Sequence, residues 1–331
     1  MSLGEEALGP PLATARQRCV VPQTPGIARG GAFPLDFPQG TVWVYGVTFV
    51  GQAEQGSSMA TLPAGSDPCL GGRDVLDAQG LEVAAIPLTD DELRSNATRT
   101  DGRRIEIWPF SGYVSAAQAF VYFQKVLTRG LFDVVEVGRG VARMSFGAPA
   151  ERTEPMAFAQ EPTLLWLAPG PSFGAGAFVA PDGSAYSYGC SGKSAFDAAC
   201  QVARVPADGA DDPAAYAYYD GTQFQPEPLA AAVVLEDAPS PSVSWAPALG
   251  TFLAVYAPPL DDRVVARRAP SPWGPFGDEI LLYDGTPPSS FWIGSVVQHP
   301  AAASGRTLVT SYFTSPDGGP AGMRLVEVTF R

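Results

Sequence analysis

The sequence predicts an all-β fold: a five-bladed β-propeller with antiparallel blades around a central channel. Three observations point there. A seven-residue phrase recurs, GTVWVYG at 40–46 and GSAYSYG at 183–189. The 36 glycines and 33 prolines among 331 residues imply many turns between short strands. Helical periodicity is scarce, with only 115–130 coming near it.

The phrase has five variants: FPQGTVWVYG (37–46), VSAAQAFVYFQ (114–124), VAPDGSAYSYG (179–189), WAPALGTFLAVY (245–256) and PAAASGRTLVTSYF (300–313). Each sets a turn rich in Gly, Ala or Pro before aromatic and β-branched residues that end near Tyr. Alternation in Thr41-Val42-Trp43-Val44-Tyr45 suits a strand buried on at least one face. Upstream of each lies another short strand: IARGGAFPL (27–35), IEIWPFSGYV (105–114), SFGAGAFVA (172–180), PSVSWAP (241–247) and FWIGSVVQHP (291–300). Downstream come VARMSFG (141–147), QVARVPA (201–207) and RVVARRAP (263–270), with LEVAAIPL (81–88) and MRLVEVTF (323–330) in the equivalent places of the first and last units.

A small antiparallel sheet cannot bury both faces alone, so repeated copies stack around an axis. The spacing divides the chain into an N-terminal extension over 1–23 and a propeller over 24–331, with blades near 24–100, 101–160, 161–235, 236–286 and 287–331. The first strand of each blade lines the channel, where crowding favours small residues such as Gly30-Gly31-Ala32 and Gly174-Ala175-Gly176.

The formal charge of −13, with lysine only at 125 and 193, argues against a nucleic-acid partner, which needs clustered cations. No apolar run reaches the roughly 18–20 residues of a membrane span. Cys190 and Cys200 bracket a short loop, GCSGKSAFDAAC, suited to a disulfide, which leaves Cys19 with Cys69. Other pairings, or four free thiols, are the alternatives. An even cysteine count without CxxC or neighbouring histidines favours disulfides over zinc. Met-Ser-Leu at the start reads as an expression leader that replaced a signal segment. The expectation is an exported monomer, extracellular, periplasmic or on the cell surface, without cofactor or metal.

The stretch SVSWAPALGTFLAVYAPPLDDRVVARRAPSPWGPFGDEILLY (242–283) resembles the penultimate blade of five-bladed propellers related to glycoside hydrolases. The stretch YSYGCSGKSAFDAACQVARVPADGADDPAAYAYYDGTQF (186–224) is similar to the blade before it. WVYGVTFVG (43–51) resembles a first-blade strand that usually reads W-x-F-G-D-T. On these motifs the chain looks like a member of the bacterial domain of unknown function 4185. The resemblance implies a carbohydrate-related propeller; it is specific to fold and poorly specific to activity. One departure stands out, because Val47 occupies the place of the family's acid.

Propeller glycosidases of this kind carry two carboxylates near the channel mouth, about 5–9.5 Å apart. On the five proposed inner strands only Glu106 is acidic, with Asp36 just past the end of the first. Asp36 and Glu106 are the weak catalytic candidates; the alternatives are a turn residue and a solvated strand residue. His299 is the only histidine, which excludes multi-histidine metal sites, and no G-x-S-x-G elbow supports a hydrolase triad. The acidic run 207–212 lacks the spacing of a calcium loop. Asn96-Ala97-Thr98 matches a glycosylation sequon by chance.

Aromatics on or beside inner strands are the remaining signal, since sugar rings stack their C–H faces on flat π surfaces. The candidate ligand residues are Trp108, Glu106, Phe173, Trp245, Trp292, Gln298 and His299, supported by Ser172 and Ser244. Packing between blades is the competing role for each aromatic, and Trp43 and Trp273 are assigned to it. The sequence expectation is a carbohydrate-binding propeller that has lost its usual carboxylates, with an oligo- or polysaccharide as partner. Its alternatives are an active glycoside hydrolase and a protein-interaction scaffold.

Overall fold

The computed structural model describes residues 12–51, 53–130, 133–194, 197–259, 261–285, 293–314 and 322–331. Among them the protein is all-β, built from antiparallel sheets. The first sheet orders Ala32–Phe37, Gly40–Tyr45, Ser58–Pro63 and Arg73–Asp74. The second orders Arg104–Ser115, Gln118–Thr128, Val134–Met144 and Glu151–Arg152. The third opens with Gly176–Val179, Ser184–Ser194 and Asp197–Pro206, and the fourth orders Ser242–Ala246, Thr251–Tyr256, Arg263–Ala269 and Ile280–Asp284. The fifth runs Ile293–Gln298, Thr307–Thr314 and Gly322–Phe330, and Leu12–Val20 pairs on its outer edge. A three-stranded sheet of Ile27–Arg29, Thr48–Val50 and Ala53–Gln55 is inserted around the first.

The repeated phrase is the second strand of each sheet, and its glycines have a steric cause. A Cβ on Gly46 would stand 2.9 Å from the Gly30 carbonyl oxygen, and one on Gly189 would stand 2.3 Å from that of Ser172. The phrase ends on glycine where the chain entering the innermost strand crosses close over the second.

Inner strands of consecutive sheets adjoin one another, and that of the fifth sheet adjoins that of the first. Five apolar clusters fill the spaces between neighbouring sheets, anchored by side chains such as Met59 and Phe123, Tyr122 and Phe173, Tyr188 and Tyr256, Tyr312 and Val255, and Trp43 with Phe313. Each fully buried side chain of this size contributes roughly 1.5–3 kcal/mol of transfer free energy.

The phrase at 114–124 supplies the strand Gln118–Thr128, buried at nearly every position. Among the described residues the α-helix is Asp90–Thr98, whose Thr89/Glu92 capping box was legible in TDDE. Two expectations are corrected. LEVAAIPL is a connection, and the third strand of the first sheet is Ser58–Pro63. Part of the N-terminal extension lies inside the architecture, as the outer strand of the fifth sheet.

The helix is tied to the second sheet by buried charges. Glu92 pairs with Arg152 on both guanidinium nitrogens and with Lys125 Nζ at 3.0 Å, and Lys125 also reaches Glu161 at 2.5 Å. Burial opposes ionisation of Glu92, but the hydrogen bonds and charge of Arg152, the Thr89 amide and Lys125 outweigh it. Its carboxyl is lowered to about 2. Both disulfides form, Cys190–Cys200 across the second and third strands of the third sheet and Cys19–Cys69 between the N-terminal strand and the first sheet.

Candidate functional site

A cavity of about 1200 Å³ runs between the five inner strands. Alternation along each strand sends every second side chain into it, as with Trp108, Phe110 and Val114 from the second sheet and Ser242 and Ser244 from the fourth. The inner strands run in the same sense: Gly31 lies against Ser295, and five residues on, Asp36 accepts from the Ala301 backbone. The cavity therefore has two unlike mouths. Where the inner strands begin, long connections such as 75–103 and 153–175 arrive. Where they end, tight hairpins such as 38–39 and 116–117 close the sheets.

Trp108 lies at the mouth where the strands begin, half-buried on the cavity wall. Its indole Nε1 donates a 2.7 Å hydrogen bond to Glu106 Oε2, so these two candidates are brought together. Glu106 is not on the cavity wall. Its side chain is buried, its second oxygen accepts from Arg104 Nε, and Arg104 reaches on to Glu54. Although burial works against it, Glu106 and Glu54 hold the Arg104 guanidinium more firmly charged than usual. Glu54 was missed because it lies on the inserted sheet rather than on an inner strand. Phe110 was missed too, although the two-residue period starting at Trp108 points to it.

Asp36 lines the same cavity at the opposite mouth, where it accepts a 2.7 Å hydrogen bond from Thr41 Oγ1 across the hairpin. Burial raises its carboxyl above the ordinary range, against the Thr41 and Ala301 hydrogen bonds. Gly112 packs against Leu35, so Asp36 stands about level with residue 113 on the neighbouring strand. Seven residues at about 3.3 Å each place Glu106 roughly 20 Å along the axis, beyond the about 5–9.5 Å of a working pair. The structure does not bring these candidate acids together.

Trp245 lines the cavity near the Asp36 end and packs on Phe252 at 4.9 Å. Three further ligand candidates are engaged within or between the sheets, Gln298 while bordering the cavity. Phe173 is fully buried between sheets, against Trp166 and Tyr218 at 5.4 and 5.0 Å. Gln298 spends its amide on the fourth sheet, donating to the Ser242 and Leu253 carbonyls at 2.6 and 3.0 Å and accepting from Ser244 Oγ at 2.9 Å. His299 is buried with Nε2 on Ser311 Oγ at 2.8 Å and its ring 5.0 Å from Trp43. Burial lowers its pKa to about 3, so the ring is neutral. Ser172 turns to Glu136, 3.4 Å away. Trp292 lies outside the described residues.

Asp211 in the acidic run forms a two-pronged pair with Arg143, and Asp212 caps a short 3-10 turn. Asn96 of the sequon exchanges two hydrogen bonds with the Ile105 backbone. Val47, standing where the related motif carries an acid, faces the cavity. Among the described residues no helix is long and apolar enough to cross a membrane, and no cluster of His, Cys, Asp and Glu could hold a metal ion.

A family profile described as "Domain of unknown function (DUF4185)" matches residues 147–314, just over half of the chain. No curated protein matches the sequence. Among solved structures, a Bacteroides ovatus protein described as a candidate hydrolase shares 16% identity at a TM-score of 0.63, over 90% of this chain and 85% of its own. A family 43 glycoside hydrolase (GH43_1) from Xanthomonas citri shares 14% at 0.56, over 92% and 90%, and its complex with xylotriose is similar at 0.55. A family 117 glycoside hydrolase from Zobellia galactanivorans shares 11% at 0.51, over 98% and 91%. At these identities the likeness is one of fold: an all-β propeller of the glycoside hydrolase kind.

Proposed function

The chain belongs to the DUF4185 family, and from that premise we propose that it is an exported, five-bladed carbohydrate-binding propeller that does not hydrolyse its ligand. The blade count is supported by five sheets of at least four strands whose inner strands adjoin in a ring. Export is supported by two disulfides, which persist in oxidising compartments.

One observation carries the functional reading. The channel wall offers the faces of Trp108 and Phe110, with Trp245 at its border packed on Phe252, yet Asp36 is the only acid among the described residues that line it. Aromatic faces suffice to bind a sugar, whereas one carboxylate cannot act as both acid and base on a glycosidic bond. Trp108 is fixed by Glu106, so its ring is presented ready-oriented, which lowers the ordering cost of binding.

A second reading, an active glycoside hydrolase, is favoured by one feature. Glu54 and Glu106 grip the same guanidinium, so their carboxylates are neighbours. Arg104 would have to withdraw before either could reach a substrate.

A glycan array probed with the purified protein, with a parallel assay for released reducing ends, tests both. Binding without release is the expected result. Release would transfer the assignment to the hydrolase, and silence in both assays would overturn the carbohydrate reading.

A further inference from the structure

The channel is large but chemically one-sided. Along its middle the wall is Pro34, Gly112, Ala177 and Val297, with the hydroxyls of Ser242 and Ser244 beside them, and no Lys, Arg or His occurs among the described residues that line it. The hydroxyls of Ser242 and Ser244 face inward, yet both are engaged by Gln298. A free oligosaccharide threaded here would bury hydroxyls without partners, at a cost for each, and an anionic sugar would bury its charge uncompensated.

We propose that the channel takes an uncharged apolar substituent carried by the sugar, an alkyl or aryl aglycone, while the sugar itself stays at the Trp108 mouth. This rests on the carbohydrate reading and narrows its ligand to neutral glycosides with an apolar tail. The geometry suits it: the aromatic faces Trp108 and Phe110 are at the mouth with the long connections, and the apolar stretch begins directly beyond them at Gly112. A cavity of about 1200 Å³ exceeds what a single monosaccharide fills.

The test is calorimetric titration with paired methyl and hexyl β-glycosides of glucose, galactose, mannose and xylose, hexanol, and hexyl glucuronide. For whichever sugar binds, the hexyl glycoside should bind at least tenfold tighter than the methyl one, with a more negative heat-capacity change. Hexyl glucuronide should bind no better than the neutral hexyl glucoside. Val297→Asp should remove the hexyl advantage and leave the methyl glycoside unchanged; if that variant is misfolded by circular dichroism, Val297→Thr should reduce the advantage in the same direction. Equal affinity of hexyl and methyl glycosides would overturn this inference and leave the carbohydrate reading intact. Hexanol binding as tightly as every hexyl glycoside would overturn the carbohydrate reading and leave the apolar channel standing. No binding by any probe would overturn the inference.

Discussion

Trp108 Nε1 and Glu106 Oε2 are 2.7 Å apart, and the bond between them ties an aromatic face at the channel mouth to a buried carboxylate two residues back on the same strand. The indole N–H is spent, so only the ring face is left for a ligand. A tryptophan held in this way acts through stacking rather than hydrogen bonding.

Trp108→Ala should weaken glycan binding tenfold or more while leaving the thermal transition near wild type, because the side chain is half-buried at a cavity edge. Glu106→Ala should weaken binding less, by freeing the ring, and Glu106→Gln, which keeps an acceptor oxygen, should restore most of it. Titration of the three variants against one array-positive glycan checks the order. Equal losses for Ala and Gln at 106 would refute the orienting role.

Phe173→Ala is the contrasting case. This ring is fully buried between the second and third sheets, so its removal should cost about 3–5 kcal/mol of stability. Binding per folded molecule should stay unchanged, as chemical denaturation and titration together would show.

Acid stability should fall in two windows. His299 is held neutral, with a folded pKa of about 3 against an ordinary 6.5, so the unfolded chain takes up its proton first. Its contribution is lost as pH drops below about 6.5 toward 3. Glu92 is held ionised at about 2, and its contribution is lost between about 4.5 and 2. Melting temperatures measured from pH 8 to 2 should show both declines. His299→Gln should flatten the upper one alone and Glu92→Gln the lower one alone.

The two disulfides should differ in worth. Closing a 50-residue separation stabilises by about 4 kcal/mol in the chain-entropy model, and a 10-residue one by about 3. Paired serine substitutions at Cys19 and Cys69 should therefore lower the melting temperature more than those at Cys190 and Cys200. The reverse order would mean that the N-terminal strand holds its place without the link.

Much of the architecture was legible because a second strand must satisfy the same demands in every sheet: a turn, a buried alternating face, a close backbone crossing. Gly46 and Gly189 record that crossing directly. The inner strands of the other four sheets were legible for the same reason, and with them the positions of Trp108 and Trp245, whereas the segment expected at 27–35 divides between the inserted sheet and Ala32–Phe37. What lies along the axis was not. Asp36 and Glu106 are acids on or beside neighbouring inner strands, and nothing in their spacing says that they stand at opposite ends. Gln298 and His299 look like ligand residues in sequence because polar side chains near an inner strand can turn either inward or between sheets. Here the carbonyls of Ser242 and Leu253 and the hydroxyl of Ser311 drew them away. Glu54 was hidden by its place in an insertion that follows no repeat.

The pairing of Leu12–Val20 with Gly322–Phe330 joins the earliest described segment to the latest. During synthesis the first of these emerges some 300 residues before its partner, at about 5–20 residues per second, and its hydrogen-bonding edge stays open throughout. Cys19 and Cys69, by contrast, both lie early in the chain, and once they enter an oxidising compartment their bond can moor the waiting strand beside the first sheet. The link is then a guard against premature association as much as a brace for the finished molecule, most useful in the interval before the ring can close.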